Sequence, residues 1–293
     1  MIETRLLYYY LSVAREQSIT HAAEALHITQ PTLSKQMMEL ESQLGKQLFI
    51  RGKKKIILTD EGVFLRNRAQ ELMSLMDKME SAFQTETELV AGDIHLGSGE
   101  TPFMKDIADV FKQMHDEYSK VHLHIHSGDV ETLLDRLDKG LLDACLLFAP
   151  PRQEKYEYLK LKHKDQFGLL LPKTDRLAAL EAVTFDDLRT QPIIFPAQAY
   201  AGKERLEWFG ESYDQWNIVA TYNLLYNATF LVEQGAGYAF CLEGLVDTTG
   251  QRNLVFKPFA PEIYGELYLV TKKYQAYSSA VKIFLQRISE DCI

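Results

Sequence analysis

The sequence is poor in cysteine: Cys145, Cys241 and Cys292 are the only three of 293 residues, an odd number with no CxxC spacing. That composition supports neither a disulfide framework nor a zinc knuckle, and it agrees with a reducing compartment. There is no apolar run of membrane-spanning length, and Glu3, Arg5, Arg15 and Glu16 interrupt the N-terminal apolar stretch, so neither a signal peptide nor a span is predicted. A cytoplasmic location with no membrane partner is the expectation. Motifs of catalysis are also missing: no GxSxG, Walker A, GxGxxG or HExxH occurs, and no nucleophile stands beside a base, so an enzyme is not expected. What the chain does have is an ordinary globular balance, 46% hydrophobic and 25% charged, and a length that favours more than one core.

The net charge of -9 is unevenly spread. Residues 1–58 carry eight Lys and Arg against five Asp and Glu, net +3, leaving 24 bases against 36 acids in the remainder, net -12. A small basic head on an acidic body can still approach phosphate, because screening confines repulsion to about 8–10 Å.

The head reads as helices. Leu6, Tyr9, Tyr10, Val13 and Ala14 recur at helical spacing up to about Gln17. Thr20 is placed to cap a short helix bearing Ala22, Ala23 and Leu26, and Thr29 to cap a third, with Pro31 in its first turn, Leu33, Met37, Leu40 and Leu44 inward, and Gly45 as its stop. Two helices joined by the turn His27-Ile28-Thr29 follow the helix-turn-helix plan, which offers Gln30, Thr32, Ser34, Lys35 and Gln36 to a major groove. Two short apolar strands then flank a basic turn with Arg51, Lys53, Lys54 and Lys55, a wing suited to phosphate contact.

The run Ser18 to Gln36, with Leu40-Glu41, Leu44-Gly45, Leu48-Phe49-Ile50-Arg51 and Leu58-Thr59-Asp60-Glu61-Gly62, resembles the LysR-type transcriptional regulators. The resemblance implies that Gln30, Pro31, Thr32, Ser34 and Lys35 contact DNA, with Arg51 as the wing arginine; Thr29 at the start of the same helix and Lys53 and Lys54 on the basic turn complete the expected DNA-binding set. Where family members often carry arginine, this chain has Lys35, a point charge rather than a bidentate fork.

From Asp60 to about Glu88, Leu65, Ala69, Leu72, Met76, Met79 and Phe83 step by alternating fours and threes, a coiled-coil seam. Leu65, Leu72, Met76, Met79 and Phe83 are therefore the expected dimerisation residues, and the resemblance implies pairing through this linker. Beyond Gly92, strands alternate with helices in two successive units. Such parallel sheets bind ligands at the carboxyl ends of their strands.

The resemblance covers essentially the whole chain. It implies an α/β fold with three parts: a winged helix-turn-helix over 1–58, a linker helix over 59–89, and a two-lobed effector domain over 90–293 similar to periplasmic binding proteins. Lobe 1 would span about 90–162 and 266–293, and lobe 2 about 163–265, with crossings near Lys162 and Ile263. Carried over residue by residue, the effector site falls on Ser98, Glu100, Thr101, Asp129, Phe148, Pro196, Ala197, Tyr222 and Asn223. Glu100 and Asp129 stand where members often have small hydroxyl or apolar residues, which favours a neutral or cationic effector unless both lie at helix N-termini. The implied partners are double-stranded DNA, a small-molecule effector, a second copy in a dimer or tetramer, and RNA polymerase; no cofactor is implied. A free-standing solute-binding protein would share the two lobes but needs a signal peptide and no basic head. His122, His124 and His126 share one strand face, yet no carboxylate or cysteine joins them by spacing, so no metal site is expected.

Overall fold

A computed structural model of the chain describes residues 2–51, 55–83, 90–148, 154–197 and 216–291. The chain forms two compact units, Met1–Gln84 and Thr85–Ile293.

In the first unit, α1 (Thr4–Glu16), α2 (Ile19–Ala25) and α3 (Gln30–Leu44) enclose a core of Leu6, Tyr10, Val13, Ala22, Ala23, Leu33, Met37 and Leu40. Ser18 caps α2, its hydroxyl accepting the His21 N–H at 3.3 Å; Thr20, the residue expected in that role, lies inside the first turn. Ser18 has the extended backbone a cap requires, and the sequence offers two hydroxyls within three positions. Thr29 caps α3 as expected, accepting the Thr32 N–H, and Gly45 ends it in the left-handed region at φ 64°. Strands β1 (Phe49–Arg51) and β2 (Ile56–Leu58) pair antiparallel, and the Glu41 carboxylate accepts the Leu48 N–H at 2.7 Å, pinning this hairpin to α3. Helix α4 (Asp60–Phe83) follows. Its Gly62 is obligatory for packing: a Cβ there would lie 2.3 Å from the Leu48 carbonyl oxygen, and the Tyr10 hydroxyl donates to the Gly62 carbonyl.

The second unit runs β3 (Gly92–Ser98), α5 (Met104–Glu117), β4 (Val121–Ser127), α6 (Val130–Asp138), β5 (Ala144–Leu147), β6 (Tyr156–Leu171), α7 (Phe185–Leu188), β7 (Pro192–Pro196), β8 (Asn217–Tyr222), α8 (Leu225–Glu233), β9 (Tyr238–Leu242), β10 (Val255–Pro258), β11 (Tyr264–Lys272) and α9 (Ser279–Asp291). One sheet threads it in the order β4-β3-β5-β11-β6-β9-β7-β8, with β10 also on β6. The two lobes share β6. Its residues Tyr156 to Gln166 pair with β11, whereas Phe167 to Leu171 pair with β9 and β10, so the chain changes lobe between Gln166 and Phe167, beside Ile263 and a few residues on from Lys162. In lobe 1, Ile94, Leu96, Ile107, Val110 and Met114 pack with Ala280, Val281, Phe284 and Ile288, which brings the C-terminal helix back to the first strands. In lobe 2, Leu169, Leu171, Ile193, Phe195, Phe240 and Phe259 form a separate core. Neither β10 nor the first half of β6 is marked by a long apolar run in the sequence. From Lys160 to Asp165 lysine alternates with Leu161, His163 and Asp165, and Lys160, Lys162 and Lys164 form an exposed face.

Candidate functional site

Helix α3 turns its apolar stripe inward and leaves Gln30, Pro31, Thr32 and Lys35 exposed and Ser34 half-buried at its N-terminal half. Thr29 and Thr32 share a hydroxyl contact of 2.8 Å, which ties the cap to the first turn. Polar side chains at a helix start are what a phosphate or base edge meets. Arg51 ends β1, with its side chain outside the described positions, and Lys53 and Lys54 lie outside the described residues.

Along α4 the expected seam divides. Leu65 packs against the head core and Ala69 is buried beside it, while Leu72 and Met79 are 42% and 53% exposed and Met76 is half-buried. Leu75 is exposed as well. Phe83 closes the helix, with its side chain outside the description. The second half of α4 thus presents Leu72, Leu75 and Met79 as an apolar face exposed among the described residues.

In the second unit the candidate effector residues gather at the carboxyl ends of parallel strands. Ser98 ends β3, and its carbonyl accepts the Gly128 N–H at 3.2 Å, so Ser98 and the Gly128-Asp129 turn are neighbours. Pro196 at the end of β7 pairs with Tyr222 at the end of β8, with Ala197 and Asn223 following. The two sets belong to different lobes, and Glu100 joins them. Its carboxylate accepts the Leu225 N–H at 2.6 Å, at the first turn of α8, whose own N-cap Leu224 supplies no side-chain oxygen.

Several of these side chains are already engaged. Asp129 caps α6 by accepting the Thr132 N–H at 2.8 Å. Both carboxylates therefore sit at helix N-termini, where the aligned peptide dipoles favour them. Thr101 is buried; its hydroxyl donates to Asp165 at 2.6 Å and accepts the Phe103 N–H at 3.1 Å. The Ser98 hydroxyl donates to the Gly99 carbonyl. The Tyr222 hydroxyl donates to the Phe240 carbonyl at 2.6 Å, and burial pushes this phenol well above its ordinary range, with Cys241 and Glu100 adding to the effect. Phe148 lies 6.1 Å from the Phe167 ring at the lobe crossing, over Gly265, where a Cβ would come within 2.8 Å of the Phe148 ring.

Sequence reasoning missed Asp165 and His163. Asp165 is buried on β6, accepting from Thr101 with one oxygen and meeting His163 Nε2 at 2.7 Å with the other. They lie on the lysine-rich half of β6, and no local motif marks them. The register of β3 on β4 also brings Asp93 and His95 beside His122 and His124, a grouping with the donor chemistry for a metal. Among the described residues no helix is long and apolar enough to cross a membrane.

Comparison with known proteins agrees with this layout. The family of bacterial regulatory helix-turn-helix proteins of the lysR type matches residues 4–63, and the LysR substrate binding domain matches residues 87–293. The HTH-type transcriptional regulator YvbU of Bacillus subtilis is 27% identical over 288 residues, 96% of either chain. YnfL of Escherichia coli, also an HTH-type transcriptional regulator, is 26% identical over 298 residues, 97% of this chain and 96% of that one. The crystal structure of full-length CbnR complexed with its target DNA has the same fold, with a TM-score of 0.77 over 99% of both chains at 17% identity. Family signatures thus match the basic winged helix-turn-helix and the two-lobed α/β unit on either side of the long helix, and the chain belongs to the LysR family of DNA-binding transcriptional regulators.

Proposed function

We propose that this regulator reads DNA through Gln30, Pro31, Thr32, Ser34 and Lys35 and clamps phosphate with Arg51, Lys53 and Lys54. Two copies pair along Leu72, Met76 and Met79, and a small-molecule effector binds between the lobes. The observation that carries the effector reading is the Glu100 to Leu225 hydrogen bond, which spans 125 positions and links the end of β3 in one lobe to the start of α8 in the other. A molecule entering there must either displace that contact or add to it, and either action changes the relative free energies of open and closed lobes. An effector acts only through such differential affinity.

Some relatives are named hydrogen peroxide-inducible genes activators, 25% identical over 65% of this chain. Oxidant sensing at a cysteine requires a thiolate. Cys145 and Cys241 are buried, and burial pushes both thiols up to about 12, so they are protonated and shielded at neutral pH. This favours a bound effector over oxidation at those two positions.

The test is thermal unfolding of the full chain against a panel of amines, amino acids, aromatic acids and sugars. A ligand at a hundredfold its dissociation constant adds about 2.7 kcal/mol of stability, read as a raised midpoint. The ligand's affinity should then change in Glu100→Gln and in Tyr222→Phe. A compound that protects both variants as well as the wild type places its site elsewhere.

A further inference from the structure

Away from the lobe interface, five potential metal donors converge on one face of the β3–β4 ladder. The parallel register sets Asp93 opposite His122, His95 opposite His124 and Gly97 opposite His126. Side chains alternate along a strand, so these residues share the face opposite Ile94 and Leu96, which are buried in the lobe 1 core. Ligand atoms of Asp93, His95 and His124 all lie within 4.8 Å of one another. Asp93 Oδ1 is 3.1 Å from His122 Nδ1 and 3.5 Å from His124 Nε2, and the His95 and His124 rings stack with centroids 4.7 Å apart.

We propose that Asp93, His95 and His124, with His122 as fourth donor, bind a divalent transition metal of the zinc class at this sheet edge. The donor set selects the cation: imidazole with one carboxylate suits zinc, nickel, cobalt or copper, whereas calcium and magnesium take oxygen alone. The spacing fits as well. Tetrahedral zinc with bonds of about 2.0–2.1 Å separates its ligand atoms by roughly 3.4 Å; the ligand atoms of Asp93, His95 and His124 lie within 4.8 Å of one another, and His122 approaches this group through Asp93 at 3.1 Å. Closing them needs side-chain rotation only, since the strands are held by seven consecutive residue pairs.

Support comes from behind the site. Asp143 accepts the His95 backbone N–H at 2.7 Å, and His126 Nε2 lies 3.1 Å from His95 Nδ1, which orients that ring. His126 Nδ1 faces the Arg136 guanidinium at 3.3 Å, so His126 donates from Nε2 to His95 Nδ1, and loading the metal on His95 requires this hydrogen bond to rearrange. His122 and His124 are exposed, giving an ion a direct path from solvent. Asp93 and His122 are 29 residues apart, so the site exists only once β4, the outermost strand, has docked on β3.

The experiment uses untagged full-length protein, stripped with chelator and titrated with zinc chloride by calorimetry, with magnesium and calcium chloride in parallel. Cobalt(II) serves as a spectroscopic probe of four-coordinate binding. One zinc per chain and no magnesium or calcium binding are expected, with affinity falling at least ~10-fold in His124→Gln and in Asp93→Asn. Both substitutions are at partly or fully exposed positions, circular dichroism checks that each variant is folded, and His21→Gln in the head serves as an unaffected control. Absence of saturable zinc binding, or unchanged affinity in both site variants, overturns the proposal.

Discussion

Replacing Thr101 with valine keeps the side-chain shape but deletes one oxygen, and the structure sets the consequence. Thr101 is 5% exposed and Asp165 3%. The lost hydroxyl donates to a buried carboxylate at 2.6 Å and accepts the Phe103 N–H at 3.1 Å. A hydrogen bond to a charged group contributes about 1.5–3 kcal/mol, and an orphaned buried N–H costs about 1 kcal/mol more. Asp165 keeps His163 as a partner on its other oxygen, which holds the loss near the lower end. The expected destabilisation is therefore about 2.5 kcal/mol, or a fall of roughly 1.2 M in the urea midpoint for a slope near 2 kcal/mol/M. Tryptophan fluorescence isolates the relevant unit, because Trp208 and Trp216 both fall in residues 85–293 and the head has none. Thr101→Ser, which retains the hydroxyl, should lose less than half as much. A midpoint for Thr101→Val within ~0.3 M of wild type, or equal damage from serine, would refute the reasoning. It would return Thr101 to the role of a free ligand-facing hydroxyl.

Three further outcomes are expected. Ser34→Ala should weaken operator binding by about 1–3 kcal/mol while leaving random duplex nearly unchanged, whereas Lys54→Ala should weaken both alike and reduce the salt slope by about one; gel-shift titrations over a salt series separate the two. Leu72→Glu with Met79→Glu places two carboxylates on the exposed face of α4 and should shift the full chain toward monomer in sedimentation velocity; an unchanged oligomer would move pairing to another surface. Burial pushes the Tyr10 phenol up from 10.0 to about 12. Its folded-state value is raised, so its contribution to stability is complete below pH 10 and lost as pH rises through about 12. Circular dichroism should accordingly find wild type more stable than Tyr10→Phe at neutral pH, with the gap closing across that alkaline window; a constant gap would count against it.

Much of the head is legible in the sequence because its signals are local. Leu33, Met37 and Leu40 lie on one helix stripe, Thr29 and Gly45 mark its ends, and the hairpin is a few residues long, so a short window contains the residues that define each element. Where two local signals compete, the window fails: Ser18 and Thr20 are both hydroxyls, and only the extended backbone of Ser18 decides which caps α2. The first half of β6 fails for another reason. Lys160, Lys162 and Lys164 look like loop chemistry, yet they lie on a strand whose partner, β11, is a hundred residues on.

By itself the sequence determined the basic winged head, the helix that follows it, the alternating strands and helices of the larger unit, and the likeness to LysR regulators. The tertiary structure alone decided how the polar groups are used. Glu100 meets Leu225 across 125 positions, Thr101 meets Asp165 across 64, and Asp93 meets His122 across 29. Periodicity tells which face of a strand a residue occupies but not which strand lies beside it; that register is set by how apolar faces such as Ile94 and Leu96 pack when the whole sheet closes, and it places the carboxylates and histidines as a consequence.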